Sequence, residues 1–176
     1  VIYVDGTKGS DVLGNGTSDN PYASIGKAQG AAVDGNAIYI REGIYDLSYT
    51  TCGLIENSHN ISFIGEPGKT VIYSDGTKHS GRDNHAAVFE KDCKIYNIIF
   101  KVKFGNRSSN YSRAFVGSGH MIYNMYGKFY NCVFEALDKT GCLCYANGNI
   151  YTEFNNCSFV VPDSLLGSYC YYGSDY

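Results

Sequence analysis

Apolar residues along the chain fall in short runs that alternate with polar ones, the period-two pattern of half-buried strands. Val1-Ile2-Tyr3-Val4 reads as a first strand, followed by a loop rich in Gly, Asp, Asn and Ser up to Pro21. Ser24 is placed to cap a helix over about 25–33, with Ile25, Ala28 and Ala32 on one stripe. Gly26 and Gly30 weaken it, so it must be short and held by packing. Asp34-Gly35-Asn36 ends the helix, Ala37-Ile38-Tyr39-Ile40 follows as a strand, and Gly43-Ile44-Tyr45 turns into the next. Past residue 33 no helical period recurs.

An internal repeat takes over from there. The tetrad Asn-x-x-Phe stands at Asn60–Phe63, Asn97–Phe100, Asn131–Phe134 and Asn156–Phe159, its Asn residues spaced by 37, 34 and 25. The last three copies extend backward as Ile95-Tyr96-Asn97, Phe129-Tyr130-Asn131 and Phe154-Asn155-Asn156. A fixed local pattern at variable spacing means that one strand recurs per unit while the loops differ in length. Further strands lie between copies, at Val71-Ile72-Tyr73, Ala86-Ala87-Val88-Phe89, Ala114-Phe115-Val116 and Cys142-Leu143-Cys144-Tyr145. A sandwich does not repeat one tetrad, and a propeller needs at least four blades of about 40 residues. A parallel β-helix accounts for the pattern: equivalent Asn residues stack into an amide ladder, and the Phe three residues later stacks inside. The ladder is expected at Asn60, Asn97, Asn131 and Asn156, with Phe63, Phe100, Phe134 and Phe159 in the core.

Composition agrees. Of 176 residues, 15% are aromatic (17 Tyr, 9 Phe, no Trp), with 21 Gly, 3 Pro and only 18% charged. The length fits one domain on a prior of ~150 residues, here 1–176, divided into a cap over 1–35 and coils over 36–176. Fourteen Lys and Arg against 17 Asp and Glu give a net charge of −3, without the basic surplus of a nucleic-acid binder. No apolar run approaches the ~20 residues of a membrane span, and no signal-type segment opens the chain. A start at Val1 marks a processed or cut product, or a fragment of a longer chain. Seven Cys are too sparse for a disulfide scaffold, and Cys142-Leu143-Cys144 lacks zinc or thioredoxin-type spacing. Cys132 and Cys157 share the position after the ladder Asn, so they should be vertical neighbours, read as buried reduced thiols.

The opening carries a recognisable signature. Val1-Ile2-Tyr3-Val4-Asp5-Gly6-Thr7-x-Gly9-Ser10-Asp11, then Gly16-Thr17-x-x-Asn20-Pro21-Tyr22-Ala23-Ser24-Ile25-x-x-Ala28, then Asp34-Gly35-Asn36-Ala37-Ile38-Tyr39-Ile40-x-x-Gly43-Ile44-Tyr45 resembles the amino-terminal cap of right-handed parallel β-helix proteins of the pectate-lyase-like superfamily. The resemblance is close over about the first 45 residues and rests on the repeat beyond them. It implies an all-β, right-handed solenoid of about five or six coils, with a short helix plugging its open end. It does not imply an activity, because that superfamily spans polysaccharide lyases, glycoside hydrolases, tailspikes and adhesins.

Its pectate lyases use calcium held by Asp and Glu, with an Arg or Lys base, and no motif here matches residue by residue. Lys101 and Glu135 each follow a tetrad Phe and so face outward on neighbouring coils, with Lys103 and Asp138 nearby. They form either a sugar or uronate contact patch or an exposed ion pair worth ~0–1 kcal/mol. The loop 75–85 gathers His79, Arg82 and His85, residue types suited to acid–base or anion-binding work or simply to a solvated loop. Asp5, Asp11 and Asp19 offer oxygens to calcium, or else make Asx turns; no other cofactor is expected. Among the Asn-x-Ser/Thr sequons, Asn106 and Asn110 lie in a loop, whereas Asn60 and Asn156 should be inaccessible as ladder positions.

Two functions remain. One is a non-catalytic extracellular or particle-surface module, an adhesin, fibre or tailspike segment, whose Tyr residues bind glycans or neighbouring subunits. The other is a polysaccharide lyase or hydrolase. The absence of a recognisable capping helix after 167 predicts that a partner, another copy or further sequence covers the last coil, with Tyr169, Tyr171, Tyr172 and Tyr176 expected at an assembly interface.

Overall fold

The computed structural model describes residues 1–48, 54–56, 58–75, 78, 85–89, 91–103, 120–125, 127–137, 142–147, 153–160 and 172–174. In chain order its elements begin β1 (Ile2–Val4), α1 (Ile25–Ala31), β2 (Ala37–Ile40), β3 (Gly43–Asp46), β4 (Leu54–Glu56), β5 (Ser62–Gly65), β6 (Thr70–Asp75) and β7 (His85–Phe89). They continue with β8 (Lys94–Tyr96), β9 (Ile99–Lys103), β10 (His120–Met125), β11 (Lys128–Tyr130), β12 (Val133–Ala136), β13 (Cys142–Asn147), β14 (Glu153–Asn155), β15 (Ser158–Val160) and β16 (Tyr172–Ser174). The described residues are mostly β, with one short helix among them.

Strands pair into three parallel sheets. Sheet A runs β1-β2-β5-β8-β11-β14, sheet B runs β3-β6-β9-β12-β15, and sheet C runs β4-β7-β10-β13-β16. From β2 onward the chain visits A, B and C in turn, so each strand hydrogen-bonds to its counterpart one circuit away. Long-range parallel pairing of this kind requires a β-helix-like path rather than hairpins.

The interior consists of columns of like residues. Sheet A stacks Ile38, Phe63, Ile95, Phe129 and Phe154 in register. Sheet B stacks Tyr45, Ile72, Phe100, Phe134 and Phe159. The rings of Phe100 and Phe134 lie parallel with centroids 5.3 Å apart, and Phe134 and Phe159 repeat this at 5.0 Å. Phe129 meets Phe134 edge-on at 5.3 Å, locking one column against the other. Phe159 lies on the terminal strand of sheet B and stays 38% exposed, so it covers the column rather than sitting fully inside it.

Two expectations need correction. The helix ends at Ala31, two residues short of 33, because Ala32 is extended and its N–H turns back to Gln29 O. Its start is fixed by Ser24, whose side chain accepts from Lys27 N at 3.2 Å. The first tetrad also differs in place from the other three. Phe63 lies in sheet A under Ile95, whereas Phe100, Phe134 and Phe159 lie in sheet B. Asn60 therefore precedes a sheet A strand, while Asn97, Asn131 and Asn156 turn the corner from A to B.

Candidate functional site

The A-to-B corner sets the outward faces. Asn97, Asn131 and Asn156 adopt left-handed backbone with φ of 59°, 53° and 52°, a conformation Asn tolerates better than other non-glycine residues. Asn131 Nδ2 donates to Asn97 Oδ1 at 3.4 Å and Asn156 Nδ2 to Asn131 Oδ1 at 2.8 Å. Asn60 stands apart, its Oδ1 accepting from Asp92 N at 3.0 Å. Asn60 and Asn156, expected to be inaccessible, are exposed: the ladder bond from Asn156 to Asn131 runs on the surface, and Asn60 is not part of it.

The residue before each corner Asn points outward, whereas the residue after it turns in: Ile98 and Cys132 are buried and Cys157 packs against the core. On sheet A the outward column is Tyr3, Tyr39, Ile64, Tyr96, Tyr130 and Asn155. Tyr96 and Tyr130 stack at 4.8 Å with 13° between ring planes, and Tyr3 and Tyr39 approach to 5.6 Å. All four tyrosines are half-buried, and the hydroxyls of Tyr96 and Tyr130 have no hydrogen-bond partner among the described residues. Two residues away runs a parallel column of Ser62, Lys94, Lys128 and Glu153. Lys128 Nζ lies 3.1 Å from Glu153 Oε1, and that carboxylate, through its hydrogen bond and then its charge, holds the lysine pKa above its ordinary value. Lys94 has no ion-pair partner among the described residues. The result is a strip of phenol rings beside two ammonium groups, of which Lys128 is paired with Glu153.

Sheet B is different. Its outward column is Asp46, Tyr73, Lys101, Glu135 and Val160. Lys101 Nζ sits 2.8 Å from Glu135 Oε2, and Lys103 Nζ lies 3.8 Å from Asp75 Oδ2. Lys78 Nζ lies 4.0 Å from Asp46 Oδ2. Each cation here faces a carboxylate of its own.

The opening aspartates serve the fold. Asp5 Oδ1 accepts from Thr7 N and Lys8 N, both at 2.9 Å, and Oδ2 meets Arg41 Nη1 at 3.1 Å. Asp11 Oδ1 accepts from Ala23 N at 2.8 Å and Ser24 N at 3.0 Å. Burial works against charge on both, but these donors outweigh it and hold both carboxyls below the ordinary aspartate range. Asp5 and Asp11 thus tie the opening loop to the end of β2 and to the start of α1, and Asp19 is exposed. No group of three or more His, Cys, Asp or Glu is arranged for a metal among the described residues.

His85 opens β7 and pairs in register with His120. Tyr172 opens β16 and pairs with Tyr145. His79, Arg82, Asp138, Tyr169, Tyr171 and Tyr176, with the expected strand at 114–116 and the sequons at Asn106 and Asn110, lie outside the described residues. The tyrosine strip of sheet A escapes a reading of the sequence by motif. Its signal is the Tyr immediately before Asn97 and Asn131, one residue after an inward Ile or Phe.

No family model and no curated protein matches the chain. Among solved structures, one titled "Rhamnogalacturonan lyase" superposes with a TM-score of 0.50 at 18% identity, over 95% of this chain and 44% of that one. The likeness is one of fold. The chain thus spans less than half the length of that enzyme.

Proposed function

We propose that this chain is a non-catalytic β-helix module of an extracellular or particle surface that binds an acidic glycan along the outer face of sheet A. In this reading the five A–B–C circuits are right-handed coils and α1 plugs their amino-terminal end. The observation that carries it is the Tyr96–Tyr130 stack beside Lys94 and Lys128. Tyr supplies apolar contact with a hydroxyl tip, and ammonium groups attract carboxylates. On sheet B both Lys101 and Lys103 are committed to a carboxylate, whereas on sheet A, among the described residues, Lys128 is and Lys94 is not. Neighbouring subunits are the other partner that such a strip suits.

The second reading is a polysaccharide lyase, favoured by the fold likeness to the rhamnogalacturonan lyase. One experiment separates them: the chain is mixed with rhamnogalacturonan and polygalacturonate, with and without calcium, and both retention and polymer length are measured. Retention without shortening is expected, weakened roughly tenfold by Tyr130→Ala, as for loss of one aromatic contact. Shortened polymer with unsaturated ends would establish the lyase instead, and absence of retention would refute glycan binding.

A further inference from the structure

Away from both outer faces, the corner carries a second chemistry. Cys132 and Cys157 directly follow Asn131 and Asn156, and Ser158 N donates to Cys132 O at 3.0 Å. Val133 pairs with Ser158 in register, so the two cysteines occupy equivalent positions on adjacent strands. Strands of a sheet lie ~4.8 Å apart, within the roughly 4.4–6.8 Å between Cα atoms that a disulfide spans. Both thiols are free. They differ in surroundings: Cys132 is buried and Cys157 is partly exposed. Cys132 Sγ lies 3.4 Å from Tyr130 O and 3.6 Å from Ile95 O; Cys157 Sγ lies 3.5 Å from Asn155 O and 3.6 Å from Phe129 O. The two side chains thus lean the same way along the column.

We propose that Cys157 and Cys132 form a thiol–disulfide exchange site, with Cys157 attacking a small-molecule disulfide such as oxidised glutathione and Cys132 closing the protein disulfide. The Cys157 thiolate attacks one sulfur of the small disulfide, whose S–S bond breaks. One glutathione thiolate leaves and takes a proton from solvent, and Cys157 becomes a mixed disulfide. Cys132 then loses its proton to solvent and attacks Cys157 Sγ. The mixed S–S bond breaks, the Cys132–Cys157 bond forms, and the second glutathione leaves as its thiol. Two protein thiols are oxidised and one small disulfide is reduced to two thiols.

The order of events follows from the two environments. The neighbouring Cys132 thiol favours the Cys157 thiolate, outweighs partial burial, and brings its pKa down to about 7. The proximity of Cys157, and then burial, push the Cys132 thiol up. The thiolate is the nucleophile, so Cys157 reacts first. Once it is capped, it no longer bears the negative charge that Cys132 stabilised, and Cys132 is released to close the bond. The closed disulfide would tie the β11–β12 corner to the β14–β15 corner.

The test uses the reduced, folded full chain, incubated with oxidised glutathione, quenched with acid, alkylated and mapped by proteolysis and mass spectrometry. A linked Cys132–Cys157 peptide, lighter by two hydrogens, is expected, while Cys93, buried on another corner with Sγ near His59 O, remains a thiol. In Cys132→Ser the glutathione adduct should persist on Cys157. In Cys157→Ser, modification of Cys132 should slow at least tenfold. The wild-type map decides alone if either variant fails to fold. A first adduct on Cys132, an adduct on Cys157 that never closes, or two unmodified thiols after prolonged exposure would overturn the assignment.

Discussion

The opening 48 residues and the corners at Asn97, Asn131 and Asn156 hold the same kind of solenoid by opposite means. In the opening segment the polar ties described above join unlike groups. Asp5 gathers Thr7, Lys8 and Arg41, Asp11 gathers Ala23 and Ser24, and Tyr45 Oη accepts from Gly6 N while donating to Arg41 O. Gly9 and Gly14 are pressed against backbone, since a Cβ at either would lie 2.2 Å from a carbonyl oxygen. In the corners like instead meets like one circuit away, Asn on Asn and Phe on Phe, and Cys132 on Cys157. A net of unlike partners fails at one residue and stays local. A column of like partners shares the loss with the rungs above and below.

Replacing Phe134 by Ala should do the most damage, because the ring contacts Phe100, Phe129, Phe154 and Phe159 at once. A loss of roughly 3–5 kcal/mol is expected from chemical denaturation. Gly9→Ala probes the opposite region and should cost about 1–3 kcal/mol, since Tyr22 O and Asp5 O must yield. Its damage should stay within the opening segment, as measured by amide exchange. Asn131→Ala, which forces a left-handed alanine and removes both ladder bonds, should cost about 1–2 kcal/mol. Asn131→Gly loses the same amide but accepts the backbone, and should cost less.

Acid sharpens the contrast. The Asp5 and Asp11 carboxyls are held low in the folded chain, so their stabilisation is complete above the unfolded value of about 3.9. It drains away as pH falls through the lower folded values. Exchange at the amides of Thr7, Lys8, Ala23 and Ser24 should therefore accelerate in acid before exchange at Asn131 and Val133, whose ladder carries no carboxylate. The smallest effect is expected at Lys101–Glu135. Lys101→Met should shift stability by only ~0–1 kcal/mol, because both groups are partly solvated.

The two regions are also unequally legible. The corners can be read from the sequence because translation along the column forces residue types to recur, so Asn-x-x-Phe is visible without coordinates. The same rule misleads at Asn60, where the tetrad matches but the Ile-Tyr or Phe-Tyr flank of Asn97 and Asn131 is missing, and the strand belongs to the other sheet. The opening net has no period and is legible only as a resemblance, since nothing in the spacing of Asp11 and Ser24 says that they touch. The Tyr96–Tyr130 strip lies between these cases. Alternation places both rings outward, but only the register β8–β11 makes them neighbours.

The account turns on which asparagines share a column, and side-chain amide contacts measured by NMR on asparagine-labelled chain test this most directly. Contacts linking Asn97 to Asn131 and Asn131 to Asn156, with Asn60 outside the chain of contacts, are predicted. A contact from Asn60 to Asn97, or an Asn131 amide without either neighbour, would contradict it.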